Sequence, residues 1–144
     1  MKYFILLTAF FFFSCKGNEP QKKAITQRQP CDLEFLVHLE NETNLTDYEV
    51  FEFLESFSGT ECQNNVEYSE YRSEVLLLQL NTRTSVFLNK LDKVSPQARS
   101  AVLKELSSPV IDIDMPALAK KVGNTNAAPK TKSEVIAALL KNAS

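Results

Sequence analysis

Few side chains in this sequence are of the types that do chemistry, and their spacing narrows what that chemistry could be. A Ser–His–Asp or Cys–His device needs a histidine, and His38 is the only one, set between Val37 and Leu39 at the boundary of an apolar run. The glycines are Gly17, Gly59 and Gly123, too few and too scattered for a phosphate-cradling loop, so no nucleotide or dinucleotide motif is present. Asp112 and Asp114 stand two apart in IDIDM and would point the same way from an extended segment. Calcium would require further oxygen ligands and the glycine of an EF-hand loop, so Asp114 is read as the cap of a helix opening at Met115 and Pro116. Glu49, Glu52 and Glu55, with Glu40 and Glu42 nearby, form the densest acidic patch. They read either as a solvated face or as a face that receives a basic partner, and a hydrolase working through carboxylates such as Asp112 or Glu52 is the enzymatic alternative. The expectation is no catalytic residue, no metal and no cofactor.

Three cysteines remain: Cys15, Cys31 and Cys62. Cys15 follows Lys2 and the apolar run Tyr3 to Phe13. As a helix that run covers about 16 Å, half the ~30 Å of a hydrocarbon core, so it is too short to span. A positive start, an apolar middle and a small residue before a cut have the order of a secretory signal. The residues FFSC, with Ser14 directly before Cys15, resemble the end of a bacterial lipoprotein signal peptide, although Phe12 and Phe13 stand where that pattern has Leu and a small residue. The resemblance covers residues 1–15 only. It implies that residues 1–14 are removed, that the Cys15 sulfur carries diacylglycerol, and that the amine freed by cleavage is often acylated as well. Two or more acyl chains hold a protein on a bilayer stably. Lys16 is not the aspartate that can mark inner-membrane retention in such lipoproteins, and KGNE poorly matches acidic export tags, so the expected location is the cell envelope, on the periplasmic side of the outer membrane.

Residues 16–30, KGNEPQKKAITQRQP, contain almost nothing to bury and read as a tether reaching on the order of 20 Å. The remaining segment, 31–144, is long enough for one domain with its own core. With Cys15 acylated, Cys31 and Cys62 are most simply a disulfide, as an even pair in an exported chain. Its loop closure is worth roughly 3–4 kcal/mol. A zinc site would need two ligands beyond these cysteines, and the sequence has one histidine to offer.

Charge is laid out unevenly. Residues 31–74 hold twelve acids and one base, Arg72 (1 − 12 = −11), whereas residues 75–144 hold ten bases and five acids (10 − 5 = +5). Either acidic helices lie beside basic ones and the field cancels, or an acidic face stays open to a basic partner. Nucleic acid is disfavoured by a net charge of about −3 after export and by bases that are not interleaved with aromatics.

Helical periodicity must position all of these groups. Val50, Phe53, Leu54 and Phe57 fall at i, i+3, i+4 and i+7, with Thr46 and Glu49 at capping-box spacing, Leu45 and Val50 as a hydrophobic staple, and Gly59 expected to end the helix in the left-handed conformation. CDLEFLVHLENE suits a helix as well as a strand; a helix turning back through NETN would bring Cys31 and Cys62 to the same end of an antiparallel pair. VEYSEYRSEVLLLQL should be the most buried helix. NTRTS interrupts it before Val86, Phe87 and Leu91, and Ser95 with Pro96 opens the next helix over Ala98, Val102 and Leu106. VIDID reads as extended. Leu118, Ala119 and Val122 suggest a helix stopped by Gly123, and Thr131 with Glu134 repeats the capping-box spacing before Val135, Ile136, Leu139 and Leu140. Phe35, Tyr48, Phe51, Phe53, Phe57, Tyr68 and Tyr71 lean the aromatics toward the acidic half, where they read as core, with an exposed binding hot spot around Phe51 as the alternative.

The sequence therefore predicts a single all-α domain of six or seven short helices, with a small α+β fold as the alternative. The expected function is that of a non-enzymatic, lipid-anchored protein that binds another protein as an accessory or scaffold subunit. The alternative is an inhibitor or immunity-type lipoprotein that sets its acidic half against a basic toxin or hydrolase.

Overall fold

The computed structural model describes residues 31–62, 64–109, 111 and 113–141. The signal segment, Cys15, the tether and Asp112 lie outside the described residues. Among the described residues are seven α-helices, one 3-10 turn and no strand.

Asp32 accepts the Phe35 N–H at 3.0 Å and starts α1 (Leu33–Asn41), which buries Phe35, Leu36 and Leu39. The alternation that also suited a strand resolves as a helix because these three residues form one stripe on α3. Thr46 caps α2 (Asp47–Glu55): its hydroxyl accepts the Glu49 N–H at 3.2 Å, and Glu49 reaches back to the Thr46 N–H at 2.7 Å. Leu45 and Val50, the residues of the expected staple, are both buried.

Gly59 does not close α2. The helix ends at Glu55 and tightens into a 3-10 turn, Ser56–Ser58, with Gly59 extended at φ −76°, ψ 151°. The reason is chemical: Ser56 donates to the Phe53 carbonyl (2.6 Å) and Ser58 to the Glu55 carbonyl (2.8 Å), so the terminal acceptors are satisfied without a left-handed residue.

α3 (Val66–Thr82), capped by Asn65, carries more buried residues than any other helix, including Tyr68, Val75, Leu76, Leu77 and Leu80. Arg83 breaks the chain at φ −126°, ψ 38° before α4 (Thr84–Leu91). Ser95 and Pro96 open α5 (Pro96–Leu106), and Asp114 caps α6 (Met115–Asn124) by accepting the Ala117 N–H at 2.9 Å.

Two further expectations are corrected. Gly123 lies inside α6, where Thr125 terminates the helix by donating its hydroxyl to the Lys121 carbonyl at 2.9 Å. α7 spans Pro129–Leu140, with Pro129 at its first position, so Thr131 is within the helix and is not its cap.

α1 lies on α3, α2 against α4 and α5, and α6 with α7 as a hairpin whose second helix also meets α5 and α4. Phe53 and Phe87, both fully buried, sit in the common core, and the Phe57 ring meets Phe53 edge-on at 5.5 Å. Cys31 and Cys62 are bonded, their Cα atoms 5.5 Å apart, at the shared end of α1 and α3. Cys31 alone among the described non-glycine residues has positive φ, 62°, so the chain enters α1 through a bend.

Candidate protein-binding surface

The structure divides the acidic half in two. α2 packs toward the basic half, and its carboxylates are taken up there or by its neighbours. Lys90 meets Asp47 at 2.7 Å, and Glu55 accepts the Ser95 N–H at 2.8 Å across a sequence gap of forty residues. Glu49 accepts from the Thr46 backbone and hydroxyl and from His38 Nε2 at 2.9 Å. The Thr46 backbone bond, more than the His38 contact, lowers its carboxyl to about 2. Glu52 is half-buried and also has an interaction partner. The three glutamates singled out from the sequence are thus placed on one helix whose surroundings engage them. His38, half-exposed, joins α1 to α2 through Glu49.

The other acids lie on the α1–α3 edge. Glu34 and Glu40 on α1, and Glu67, Glu70 and Glu74 on α3, are all exposed. The one cation of this region turns inward: the Arg72 guanidinium lies 4.2 Å over the Phe57 ring and 5.6 Å from that of Tyr68, and burial lowers its pKa from the usual value. It therefore does little to neutralise the edge. Tyr71 bridges the two helices by donating to Glu40 at 2.5 Å, with burial and that bond raising its hydroxyl to about 12.

Apolar side chains stand among these carboxylates. Leu33 (37% exposed) and Val37 (47%) are one turn apart on α1, and Val66 (66%) opens α3. Three of the five large exposed apolar residues described are on this pair of helices. A negative rim around exposed apolar groups suits a cationic, partly apolar protein surface. The sequence singled out the glutamates of α2 because they are densest there; it could not show that Tyr71 of α3 reaches Glu40 of α1 and brings Glu74 near that bond.

A polar cluster that sequence reasoning missed sits in the basic half. Arg99 donates to Glu134 Oε2 from Nε (3.0 Å) and from one terminal nitrogen (2.6 Å), to the Thr131 hydroxyl (3.0 Å) and to the Leu91 carbonyl (2.9 Å). Thr131 in turn donates to Asp92 at 2.8 Å. Thr131 is fully buried, so this set joins α4, α5 and α7 and offers no nucleophile to a substrate. The Thr131–Glu134 spacing was visible; its partner Arg99, thirty-five residues before Glu134, was not.

No group of three or more His, Cys, Asp or Glu side chains among the described residues is placed to hold a metal ion, and no described helix is long and apolar enough to cross a membrane. Compared with family models, with curated proteins and with solved structures, the chain matches none of them.

Proposed function

We propose that this is a lipid-anchored protein of the bacterial cell envelope, fixed through Cys15 to the periplasmic side of the outer membrane, that works by binding another protein and has no catalytic activity of its own. The anchor rests on the FFSC sequence and on the polar segment after it. The Cys31–Cys62 bridge at the root of that segment fits an oxidising compartment. The binding role is carried by one observation, the α1–α3 edge, where Leu33, Val37 and Val66 are exposed among five exposed glutamates.

The charge of the same edge favours a second reading, in which the partner is a basic toxin or hydrolase and the protein its inhibitor. Both are tested by purifying the protein from detergent-solubilised membranes at low and at high salt. We expect mass spectrometry to find acyl chains on Cys15, and a partner to be retained at low salt, released at high salt and lost in the variant E67K/E70K. A basic cleft on that partner would assign the inhibitor reading. An unmodified Cys15 thiol would refute the anchor, and a partner held equally by wild type and variant at all salt concentrations would refute the edge.

A further inference from the structure

The α6–α7 hairpin is the electrostatic counterpart of the α1–α3 edge. From Met115 to Lys141 it carries Lys120, Lys121, Lys130, Lys132 and Lys141 against one acid, Glu134 (5 − 1 = +4). That acid is already bound by Arg99 of α5. Lys121 is fixed on Asn81, donating to its carbonyl and to its side-chain oxygen, and Lys132 lies 3.3 Å from the Gly123 carbonyl. Lys120, Lys130 and Lys141 are exposed, and Leu140 stands exposed beside Lys141 at the end of α7. On a helical projection Lys130, Ser133, Ala137, Leu140 and Lys141 fall on one exposed arc, a cationic face with one apolar projection.

The hairpin is tied to α3 near its C-terminus, through Lys121 on Asn81, whereas the edge runs along its N-terminal half from Val66 to Glu74. Fifteen residues of helix separate Val66 from Asn81 by about 22 Å. A molecule can therefore offer its hairpin to a neighbour while its own edge stays open. An interface between two different patches is heterologous, and it extends head to tail unless the rotation closes a ring.

We propose that the α1–α3 edge of one copy receives the α6–α7 hairpin of a second copy, forming head-to-tail assemblies. The inference rests on the reading of the edge as a protein-binding surface and is independent of the lipid anchor. Charge complementarity selects the occupant: the hairpin is a surface of this molecule with matching sign, exposed apolar content and no acid left uncommitted.

The test uses the full chain from residue 15 with Cys15→Ser and the disulfide intact, studied by sedimentation velocity over a wide range of concentration at low and high salt. The expected result is a mass that rises with concentration, with the apparent Kd weakening at least about tenfold from low to high salt. E67K/E70K removes the edge and K130E/K141E the hairpin; each alone should stay monomeric. Mixed in equal amounts they should associate again, because the intact edge of one meets the intact hairpin of the other, and the reversed charges on the two altered surfaces are also of opposite sign. All four positions are exposed, and unchanged thermal unfolding of both variants confirms that folding is preserved. If either fails to fold, the neutral pairs Glu67→Gln/Glu70→Gln and Lys130→Gln/Lys141→Gln replace them, with association weakened by each pair as the expected result and association as in wild type as the overturning one.

A wild-type protein that is monomeric throughout overturns the proposal. So does an association that either variant retains. If removing residues 16–30 converts a monomer into an associating protein, the edge is occupied by that basic segment, and the proposal fails. Vesicles with anionic lipid that bind wild type and E67K/E70K alike, while the wild type does not self-associate, would assign the hairpin to headgroups and equally overturn it. Salt-sensitive capture of a different envelope protein by wild type, lost in E67K/E70K, would leave the proposed function standing even where self-association fails.

Discussion

Replacing Arg99 by methionine tests how the basic half is held together. The side chain is 19% exposed and its partner Glu134 32%, so the pair is mostly out of water. Removing one member of a buried pair costs about 3–5 kcal/mol, since the other charge is left uncompensated. Here solvent reaches Glu134 in part, Lys130 stays 4.0 Å from it, and Thr131 keeps its bond to Asp92, which lowers the expectation to about 2–4 kcal/mol. Arg99→Lys keeps the charge but cannot present a planar fork to Glu134, Thr131 and the Leu91 carbonyl together, so about half of the loss should remain. Urea unfolding of the disulfide-intact protein measures both, and the slope should be unchanged while the midpoint falls. A double-mutant cycle with Glu134→Gln should return a coupling of about 1–2 kcal/mol. If Arg99→Met stays within about 0.5 kcal/mol of wild type, the cluster does not join the three helices in the way argued.

Glu49 has its carboxyl lowered from 4.5 to about 2, so its contribution to stability is complete above the unfolded value and is lost as pH falls from about 4.5 toward 2. Glu49→Gln should therefore cost about 1–2 kcal/mol at neutral pH and little at pH ~2, read from urea midpoints across that range. Reducing Cys31–Cys62, which closes a loop with a sequence separation of 31, should lower stability by up to about 3.7 kcal/mol, and equal unfolding midpoints with and without reductant would refute it. Phe53→Ala, at a fully buried ring in contact with Phe57, should cost about 3–5 kcal/mol, whereas Leu33→Ala on the open edge should cost under about 1 kcal/mol.

The helices were legible because their signals are local. Thr46 with Glu49, Ser95 with Pro96, and Asp114 before Met115 are each satisfied within one turn, and the structure shows every one of them as a cap. Helix ends were read less well, since a glycine can end a helix but serine and threonine hydroxyls near Ser56 and Thr125 can do so too, and both compete for the same carbonyls. Thr131 shows the limit of spacing arguments: a threonine three residues before a glutamate is either a capping box or two neighbouring positions on one helix face, and only the approach of Arg99 from α5 decides. The acidic half followed the same logic. Its charge was countable, but which glutamates meet Lys90 or Ser95 and which stay outward depended on how α2 and α3 pack, and packing is not a local property.

The bond between Cys31 and Cys62 also decides how the body bears a pull. Tension arriving from the N-terminal side enters at Cys31 and crosses the sulfur link directly to Cys62, at the approach to α3, so the thirty residues between them, including α1 and α2, are bypassed by the load. Load passing on into the rest of the chain would then run along α3, the longest helix, and α1, the short helix that carries the other part of the acidic rim, would not be peeled away first.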